Sequence, residues 1–484
     1  MDGSRRPRFL RPINPRAFLR RRWPLLVFLA ASLVLRIFLF QSVIPRVQTD
    51  SVTYFELRNL DPVRTPGYPL FLELIQFLND LFSLTPRYLL YIVFIQMFVL
   101  GMINCYLIYA LARSLTGSEV FALAMGVIFN LDYLVIGFEF LILTETLSLT
   151  LLGLTLLFYR KIFERSKSAP YLAGVFSACL LLTRPSFAGL FVCLLGISTL
   201  IHIRPASGES FFRKYARPLA VFLLFNLVAI GSWSWRNKVK HGYFGISTIL
   251  PYQMGYFTWH FYWKYKGGSD PELDKYAAIL AEVKGRPFEF RWRLAETTKL
   301  SEAEISRILL RLNLKIIRDN PGEYFRLLPR AAAAYYDYSW DWTAPQNKRI
   351  FNRNKFPARL FRFFFRLHGG IFKNPLALLT FVLFVPLALL LAIRKNRELF
   401  HWLCLIEGTV HYNFLLSVFF TPGGINNLRY RIPVEPFILL VFYAALFLFG
   451  RDLVRRLRPA SVRADRSVNS PPSPSSSPAR GRGN

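Results

Sequence analysis

The first long apolar run of this sequence is 23–44, WPLLVFLAASLVLRIFLFQSVI, which contains a single charged residue, Arg36. A helix of about 20 such residues is long enough to cross the roughly 30 Å hydrocarbon core of a bilayer. A basic N-terminus precedes the run, but no small-residue cleavage site follows it. The run therefore predicts a membrane span that stays attached, and the fold class depends on how many similar runs follow.

Further apolar runs, most of them long enough to span a membrane, lie at 88–112, 119–137, 140–159, 170–183, 187–203, 218–235, 374–393, 399–420 and 432–450. Apolar residues make up 53% of the 484 residues, and the mean hydropathy is +0.31. Hydropathy of this kind predicts an all-α polytopic membrane protein with about ten transmembrane helices. The run at 170–183 is short and is followed by Arg184-Pro185, so hydropathy leaves its boundary with the next run undefined.

Lysines and arginines predict the orientation, because short basic loops stay in the cytoplasm. The basic residues between Arg5 and Arg22 place the N-terminus inside, and every second loop counted from there is basic. We therefore expect both termini to be cytoplasmic. Much of the net charge of +32 is this orientation signal, and no nucleic-acid-binding module accompanies it, so we exclude a nucleic-acid partner. Another part of the positive charge lies on 236–373. There it indicates either a solvated basic surface against anionic lipid headgroups or a surface that attracts an anionic lipid substrate.

The predicted organisation follows from these spans. It consists of a basic cytoplasmic N-terminus (1–22), a transmembrane module (23–235) with a first external loop (45–87), a partly helical external domain (236–373), C-terminal transmembrane helices (374–450) and a disordered basic cytoplasmic tail (451–484). The module 23–235 is predicted to be the catalytic one from the candidate residues described next. Within the first loop, 69–84 is apolar at helical spacing and predicts a helix in the membrane interface. The four cysteines lie in apolar spans without metal-ligand spacing, which indicates core thiols.

The first external loop carries residues suited to group transfer. Residues 49–57 read TDSVTYFEL and residues 64–72 read RTPGYPLFL. A carboxylate such as Asp50 can take a proton from an acceptor, and a guanidinium such as Arg64 can hold a phosphate. Position alone also fits an ordinary loop aspartate. Tyr54, which lies between these two residues, and Tyr68, four residues after Arg64, are candidates for a substrate pocket.

Charged residues near other span ends are further candidates. Glu145 lies near the outer end of the fourth span, where a carboxylate usually faces a polar cavity or makes an interhelical hydrogen bond. Arg184 precedes Pro185, Arg236 lies in WSWRN at 233–237, and Arg429 begins RYR at 429–431. Snorkelling of a span-end arginine is the alternative for these three. The predicted topology places Arg64 and these arginines on one side of the membrane, as one phosphate site requires.

These segments resemble the GT-C integral-membrane glycosyltransferases, in particular family 39, the dolichyl-phosphate-mannose-protein mannosyltransferases, and the related aminoarabinose transferases acting on lipid A. The resemblance covers most of 20–250 and returns at 421–440. It implies a GT-C fold in which Asp50 is the general base and Glu145 orients the acceptor or helps to bind a metal. Arg64, Arg184, Arg236 and Arg429 would then bind the donor phosphate.

The resemblance implies an inverting glycosyltransferase that moves one sugar from a polyprenyl-phosphate carrier to a lipid, glycan or protein hydroxyl on the external face, in a bacterial inner (plasma) membrane. No nucleotide-binding loop is present, which fits a lipid-linked donor. No metal-ligand set is evident, and a divalent cation is left open. The alternatives are a polyprenyl-linked polysaccharide ligase or polymerase, which would not require the Asp50 segment, and a lipid or sugar transporter, which would show repeat symmetry and mid-membrane polar residues.

Overall fold

The computed structural model describes residues 15–457 except 42–44, 46, 48, 56, 58–59, 83–86, 203–210, 259–270, 285, 337–354, 374–396 and 421–426. The predicted span at 374–393 lies outside the described residues, as do most of the basic N-terminus and the tail from residue 458 onward. The last described helix continues to Leu457, seven residues beyond the predicted end of the final span at 450.

The described chain is built from helices, with no extended strand among the described residues. In chain order they are α1 (Pro15–Phe40), α2 (Thr49–Val52), α3 (Gly67–Phe82), α4 (Tyr88–Thr116, with a π-helical turn at Ile95–Leu100), α5 (Glu119–Asn130), α6 (Tyr133–Glu139), α7 (Glu145–Phe163), α8 (Ala169–Thr183), α9 (Leu190–His202), α10 (Phe211–His241), α11 (Ile249–Thr258), α12 (Pro271–Glu282), α13 (Pro287–Thr298), α14 (Glu302–Asp319), α15 (Pro321–Tyr336), α16 (Lys355–Lys373), α17 (Arg397–Phe420), α18 (Asn427–Arg431) and α19 (Glu435–Leu457).

Six helices in the described part of the chain are long and apolar enough to cross a membrane: α1, α4, α7, α10, α17 and α19. Each overlaps a predicted span, although α7 begins five residues after the predicted start at 140. The predicted spans at 119–137, 170–183 and 187–203 correspond to the shorter apolar helices α5, α8 and α9. The predicted class, an all-α polytopic membrane protein, is confirmed.

The third predicted span is shorter than its apolar run. The prediction of one continuous helix over 119–137 is wrong, because α5 ends at Asn130 and a new helix, α6, begins at Tyr133. Asp132 causes the break: its carboxylate accepts hydrogen bonds from the backbone amides of Leu134 at 3.0 Å and Val135 at 3.5 Å, and so caps α6. A non-helical stretch then leads to Glu145, the first residue of α7.

Buried polar side chains fix that non-helical stretch. Arg36 on α1 forms a fully buried ion pair with Glu139 at 2.7 Å. Gln96 in the π-helical turn donates to the backbone oxygen of Glu139 at 3.1 Å, and the Ser51 hydroxyl donates to that of Ile142 at 2.7 Å. Buried charges need such partners. The network ties the short helix that carries Asp50 to the turn that precedes Glu145.

Helices α11–α15 form a second hydrophobic core, separate from that of the apolar bundle, in the segment predicted as an external domain. Its buried side chains include Tyr252, Phe290 and Leu309. A capping box between Ser301 and Glu304 begins α14. Val63 from the loop after α2 packs into the same core. The loop that carries Arg64 is therefore anchored on this segment.

Candidate active site

Asp50 lies between two arginines. Its Oδ1 accepts a hydrogen bond from Nη2 of Arg64 at 2.8 Å, and its Oδ2 accepts one from Nη1 of Arg429. Burial by itself would raise the pKa of Asp50, but the charges of Arg429 and Arg64 outweigh it and lower this pKa to about 2. The carboxylate is therefore ionised at neutral pH, and both of its oxygens have a cationic partner.

The Arg64 guanidinium is held by its own loop. Its Nε donates to the hydroxyl of Thr53 at 3.0 Å, and its Nη1 donates to the hydroxyl of Tyr54 at 3.3 Å. The guanidinium carbon also lies 4.9 Å from the Tyr54 ring centroid, in cation–π range. These contacts orient the planar group independently of Asp50. The predicted pocket residue Tyr54 is thus a support for Arg64 as well as part of the cavity wall.

A close helix contact explains the Pro-Gly pair after Arg64. Helix α3 begins at Gly67, two residues before the predicted start at 69. A Cβ atom at Gly67 would lie 2.6 Å from the backbone nitrogen of Thr183 and 2.7 Å from the carbonyl carbon of Leu182. A glycine is therefore required for the start of α3 to lie against the end of α8. The residue after Thr183 is Arg184, so this contact brings the two arginine-bearing segments together.

Glu145 lies behind the arginines. Its side chain is fully buried, and its Oε1 accepts a hydrogen bond from Nε of Arg429. The same oxygen is 3.4 Å from Nη1 of Arg184, whose Nη2 donates to the backbone oxygen of Arg429 at 3.2 Å. Glu145 is absent from the residues that line the adjacent cavity, whereas Asp50, Arg184 and Arg429 are among them. This geometry favours a role in holding the arginines over direct contact with a substrate.

Two predicted site residues lie outside this cluster. Arg236, on α10, donates from Nη2 to the backbone oxygen of Leu60 at 3.1 Å, so it contacts the loop that leads to Arg64. Tyr68 is fully buried, donates to Oε1 of Gln96 at 2.8 Å and packs edge-to-face on Tyr54, with ring centroids 5.2 Å apart. Neither residue lines the cavity. Both contact residues of the loop that carries Arg64, and so support the site without facing the cavity.

A cavity of about 450 Å³ opens next to Asp50. Asp50, Arg64, Arg184 and Arg429 are the charged residues among the described side chains that line it. The rest of the wall is uncharged, and much of it comes from α11, α13, α17 and the turn after α8. Its polar members include Ser186, Gln253, Asn413 and Ser417, which the sequence did not indicate. Isolated polar residues in apolar helices give no motif, so only packing reveals that they share a cavity.

The α11–α15 segment and the two residues before it hold the Arg64 loop in place. The backbone amide of Thr248 donates to the oxygen of Pro62 at 3.0 Å, and the Ser247 hydroxyl donates to the oxygen of Val63 at 2.6 Å. Arg291 on α13 pairs with Asp61 of the loop. These contacts join residues that are 184 to 230 positions apart in sequence. The sequence did not predict them. Arg64 therefore lies between two fixed points, the contacts at residues 61–63 before it and the contact of Gly67 with α8 after it.

The residues present fit an anion better than a cation. Among the described residues, no three His, Cys, Asp or Glu side chains are grouped as metal ligands. The carboxylates of Asp50 and Glu145 each accept hydrogen bonds from arginine. The cluster of three arginines and two carboxylates leaves one net positive charge beside the cavity. A guanidinium presents donors in a geometry that matches phosphate oxygens.

No protein-family model matches this chain, and a search of curated proteins found no match. Among solved structures, it is similar to the Archaeoglobus fulgidus oligosaccharyltransferase AglB in complex with an inhibitory peptide and a dolichol-phosphate (12% identity, TM-score 0.45, 93% of this chain and 54% of that one). It is also similar to an A. fulgidus oligosaccharyltransferase tethered with an acceptor peptide (12%, 0.42, 93% and 52%). A third is ArnT from Cupriavidus metallidurans bound to undecaprenyl phosphate (12%, 0.34, 85% and 78%). The chain spans about half the length of the two oligosaccharyltransferases, and similarity at this level assigns no reaction to it.

Proposed function

We propose that this chain is an inverting glycosyltransferase of the GT-C type, which moves one sugar from a polyprenyl-phosphate donor to a hydroxyl acceptor. The observation that carries the proposal is the Asp50 carboxylate set between Arg64 and Arg429 at a cavity wall. In this proposal Arg64, Arg429 and Arg184 bind the phosphate, and Asp50 takes the acceptor proton. Glu145, Arg236 and Tyr68 are positioning residues.

The charge of the cluster supports this substrate class. A polyprenyl-phosphate sugar is a phosphodiester with one negative charge, which matches the single net positive charge of the three arginines and two carboxylates. Transfer leaves a phosphate monoester with a second negative charge, while Asp50 becomes neutral by accepting a proton. The site therefore stays close to electroneutral before and after the reaction, and charge that develops in the transition state meets fixed guanidinium groups.

The bond changes of the proposed step are those of one displacement. The acceptor oxygen attacks the anomeric carbon and loses its proton to Asp50. The bond between that carbon and the phosphate oxygen breaks, and its electron pair stays on the phosphate. Attack from the face opposite the leaving phosphate inverts the anomeric centre. The cavity of about 450 Å³ lies in the range of roughly 300–1,000 Å³ that is typical of small-ligand sites, which favours transfer of one small sugar over a long glycan.

The proposed location of this reaction is the external face of a bacterial inner membrane. Helices of membrane length support an integral membrane protein, and the basic loops favour cytoplasmic termini. The acceptor in this proposal is a lipid, glycan or protein hydroxyl. The α11–α15 segment, which forms part of the cavity wall, is then the external domain that an acceptor meets first.

The proposal is tested by incubating the purified protein with a panel of polyprenyl-phosphate sugars and measuring release of polyprenyl phosphate. We expect release from at least one donor, dependent on an acceptor hydroxyl, together with measurable binding of undecaprenyl phosphate. A protein that neither binds undecaprenyl phosphate nor releases it from any donor would contradict the proposal. Release of a polyprenyl diphosphate from a glycan-linked donor would instead support the ligase or polymerase alternative.

A further inference from the structure

We propose that Asp50 also serves as an internal counter-ion that the donor phosphate must displace, so that donor binding converts this carboxylate from a partner of the arginines into a free base. This inference rests on the proposed function and adds an order to it, with the donor binding before the acceptor reacts. It assigns Asp50 two successive roles at one site.

Hydrogen bonding shows why Asp50 cannot be the counter-ion of the arginines and the general base at the same time. Its two oxygens point at Nη2 of Arg64 and Nη1 of Arg429, the same groups that would bind a phosphate. A carboxylate whose two oxygens are held in this way is a weak proton acceptor, in agreement with its pKa of about 2. A general base works best when its pKa is closer to the working pH. While both of its oxygens accept hydrogen bonds from arginine, Asp50 is therefore a poor base for the acceptor hydroxyl.

The two arginines would stay in place after Asp50 leaves, because each has a second partner. Arg64 keeps its bonds from Nε to Thr53 and from Nη1 to Tyr54. Arg429 keeps its bond from Nε to the fully buried Glu145. Releasing Asp50 therefore frees one Nη group on each guanidinium without disturbing either.

Exposure distinguishes the two carboxylates of the cluster. The Asp50 side chain is 35% exposed and lines the cavity, whereas the Glu145 side chain is completely buried. Asp50 can therefore rotate toward the cavity and water when a phosphate arrives, while Glu145 cannot.

The other charged or titratable groups on this part of the cavity wall are Tyr54, on the same loop as Asp50, and Arg184 and Tyr430. Arg184 is already engaged by Glu145 and by the backbone oxygen of Arg429. Once Arg64 and Arg429 bind phosphate, hydroxyls and solvent remain as partners for the freed carboxylate, so its pKa should rise.

This exchange makes an unusual prediction: removal of the proposed base should strengthen donor binding. In Asp50→Asn the two guanidiniums no longer have a competing carboxylate, and one negative charge near the phosphate is gone. We expect undecaprenyl phosphate to bind the variant about tenfold more tightly, or better, while sugar transfer falls. Loss of the charge alone would also tighten binding, so the Arg64→Ala background is needed to show that the gain comes from freed guanidinium groups.

The experiment measures undecaprenyl phosphate affinity of the full-length protein in detergent for the wild type, Asp50→Asn, Arg64→Ala and the double variant. Asp319→Asn is the matched control, because Asp319 has a similar exposure of 28%, pairs with Lys315 at 2.9 Å and is not among the residues lining the cavity. We expect tighter binding for Asp50→Asn and no change for Asp319→Asn. The gain from Asp50→Asn should shrink when Arg64 is already alanine.

Three results would overturn the inference. If the wild type binds undecaprenyl phosphate and Asp50→Asn binds it equally well or more weakly, then Asp50 and phosphate do not compete for the two guanidinium groups. The proposed function would remain intact. A gain that is just as large in the Arg64→Ala background would show a general charge effect without displacement. Failure of all variants, including the wild type, to bind undecaprenyl phosphate would remove the proposed function and the inference together.

Discussion

Arg64 is the residue at which the phosphate site can be tested quantitatively. Its guanidinium makes three side-chain hydrogen bonds, to Asp50, Thr53 and Tyr54. In the proposed complex the bond to Asp50 is replaced by one to a phosphate oxygen. Hydrogen bonds to charged groups are worth roughly 1.5–3 kcal/mol, so Arg64→Ala should weaken donor affinity by at least about tenfold. The apparent affinity for the acceptor should change little.

Arg64→Lys separates charge from geometry. A lysine keeps the positive charge but lacks the planar fork that bonds Thr53, Tyr54 and a phosphate at the same time. We therefore expect donor affinity and transfer rate to fall in the order wild type, lysine variant, alanine variant. Arg293→Ala is the control, because Arg293 is an arginine on α13 with a half-exposed side chain and is not among the cavity-lining residues. If Arg64→Ala binds undecaprenyl phosphate as tightly as the wild type, the phosphate contact must be assigned to Arg184 or Arg429.

Further outcomes follow from the same structure. Gly67→Ala places a Cβ against the backbone of α8 and should cost about 1–3 kcal/mol of stability, measured by thermal unfolding, whereas Gly231→Ala, with open space around it, should be neutral or stabilising by up to about 1 kcal/mol. The pKa of Asp50 is about 2 while it is paired with Arg64 and Arg429, so protonation of this base should not limit kcat/KM for the donor above about pH 3. If phosphate takes over the two arginines, the acid limb of the kcat profile should lie at a higher pH than that of kcat/KM. Acid limbs at the same pH would contradict that exchange. In a variant without the four native cysteines, Lys299→Cys should react with an impermeant thiol reagent in intact cells and Ser166→Cys only after permeabilisation; labelling of both on one side would contradict the proposed orientation.

Hydropathy located the six helices of membrane length in the described part of the chain, because a long apolar run has few alternatives in a bilayer. It failed at 119–137, where one residue, Asp132, ends the helix by capping the next. Local capping competes with hydropathy over only a few residues, so an average across a window does not detect it. The predicted interfacial helix at 69–84 begins within two residues of the start of α3, because its apolar residues recur at helical spacing and Pro69 lies in the first turn, where a helix tolerates proline.

The candidate site shows a different limit. The sequence motifs drew attention to Asp50, Arg64, Arg184 and Arg429, which the structure brings together. The sequence could not show that Arg429 contacts both carboxylates, because that contact joins residues 379 positions apart. Nor could the sequence show that Arg236 differs from these arginines. Its motif also suggested a phosphate contact, but its side chain bonds to the backbone of the loop before Arg64. Motifs indicate residue types suited to a reaction, whereas tertiary packing decides which of them share a cavity.

Single turnover by Asp50→Asn tests the central claim most directly. The substitution is nearly isosteric and affects a partly exposed side chain, so the variant should insert and fold. With a polyprenyl-phosphate sugar that the wild type turns over, we expect transfer to fall by about 10²- to 10⁴-fold, while undecaprenyl phosphate is still bound. Transfer at close to the wild-type rate by an Asp50→Asn protein that binds the phosphate would show that Asp50 is not the base.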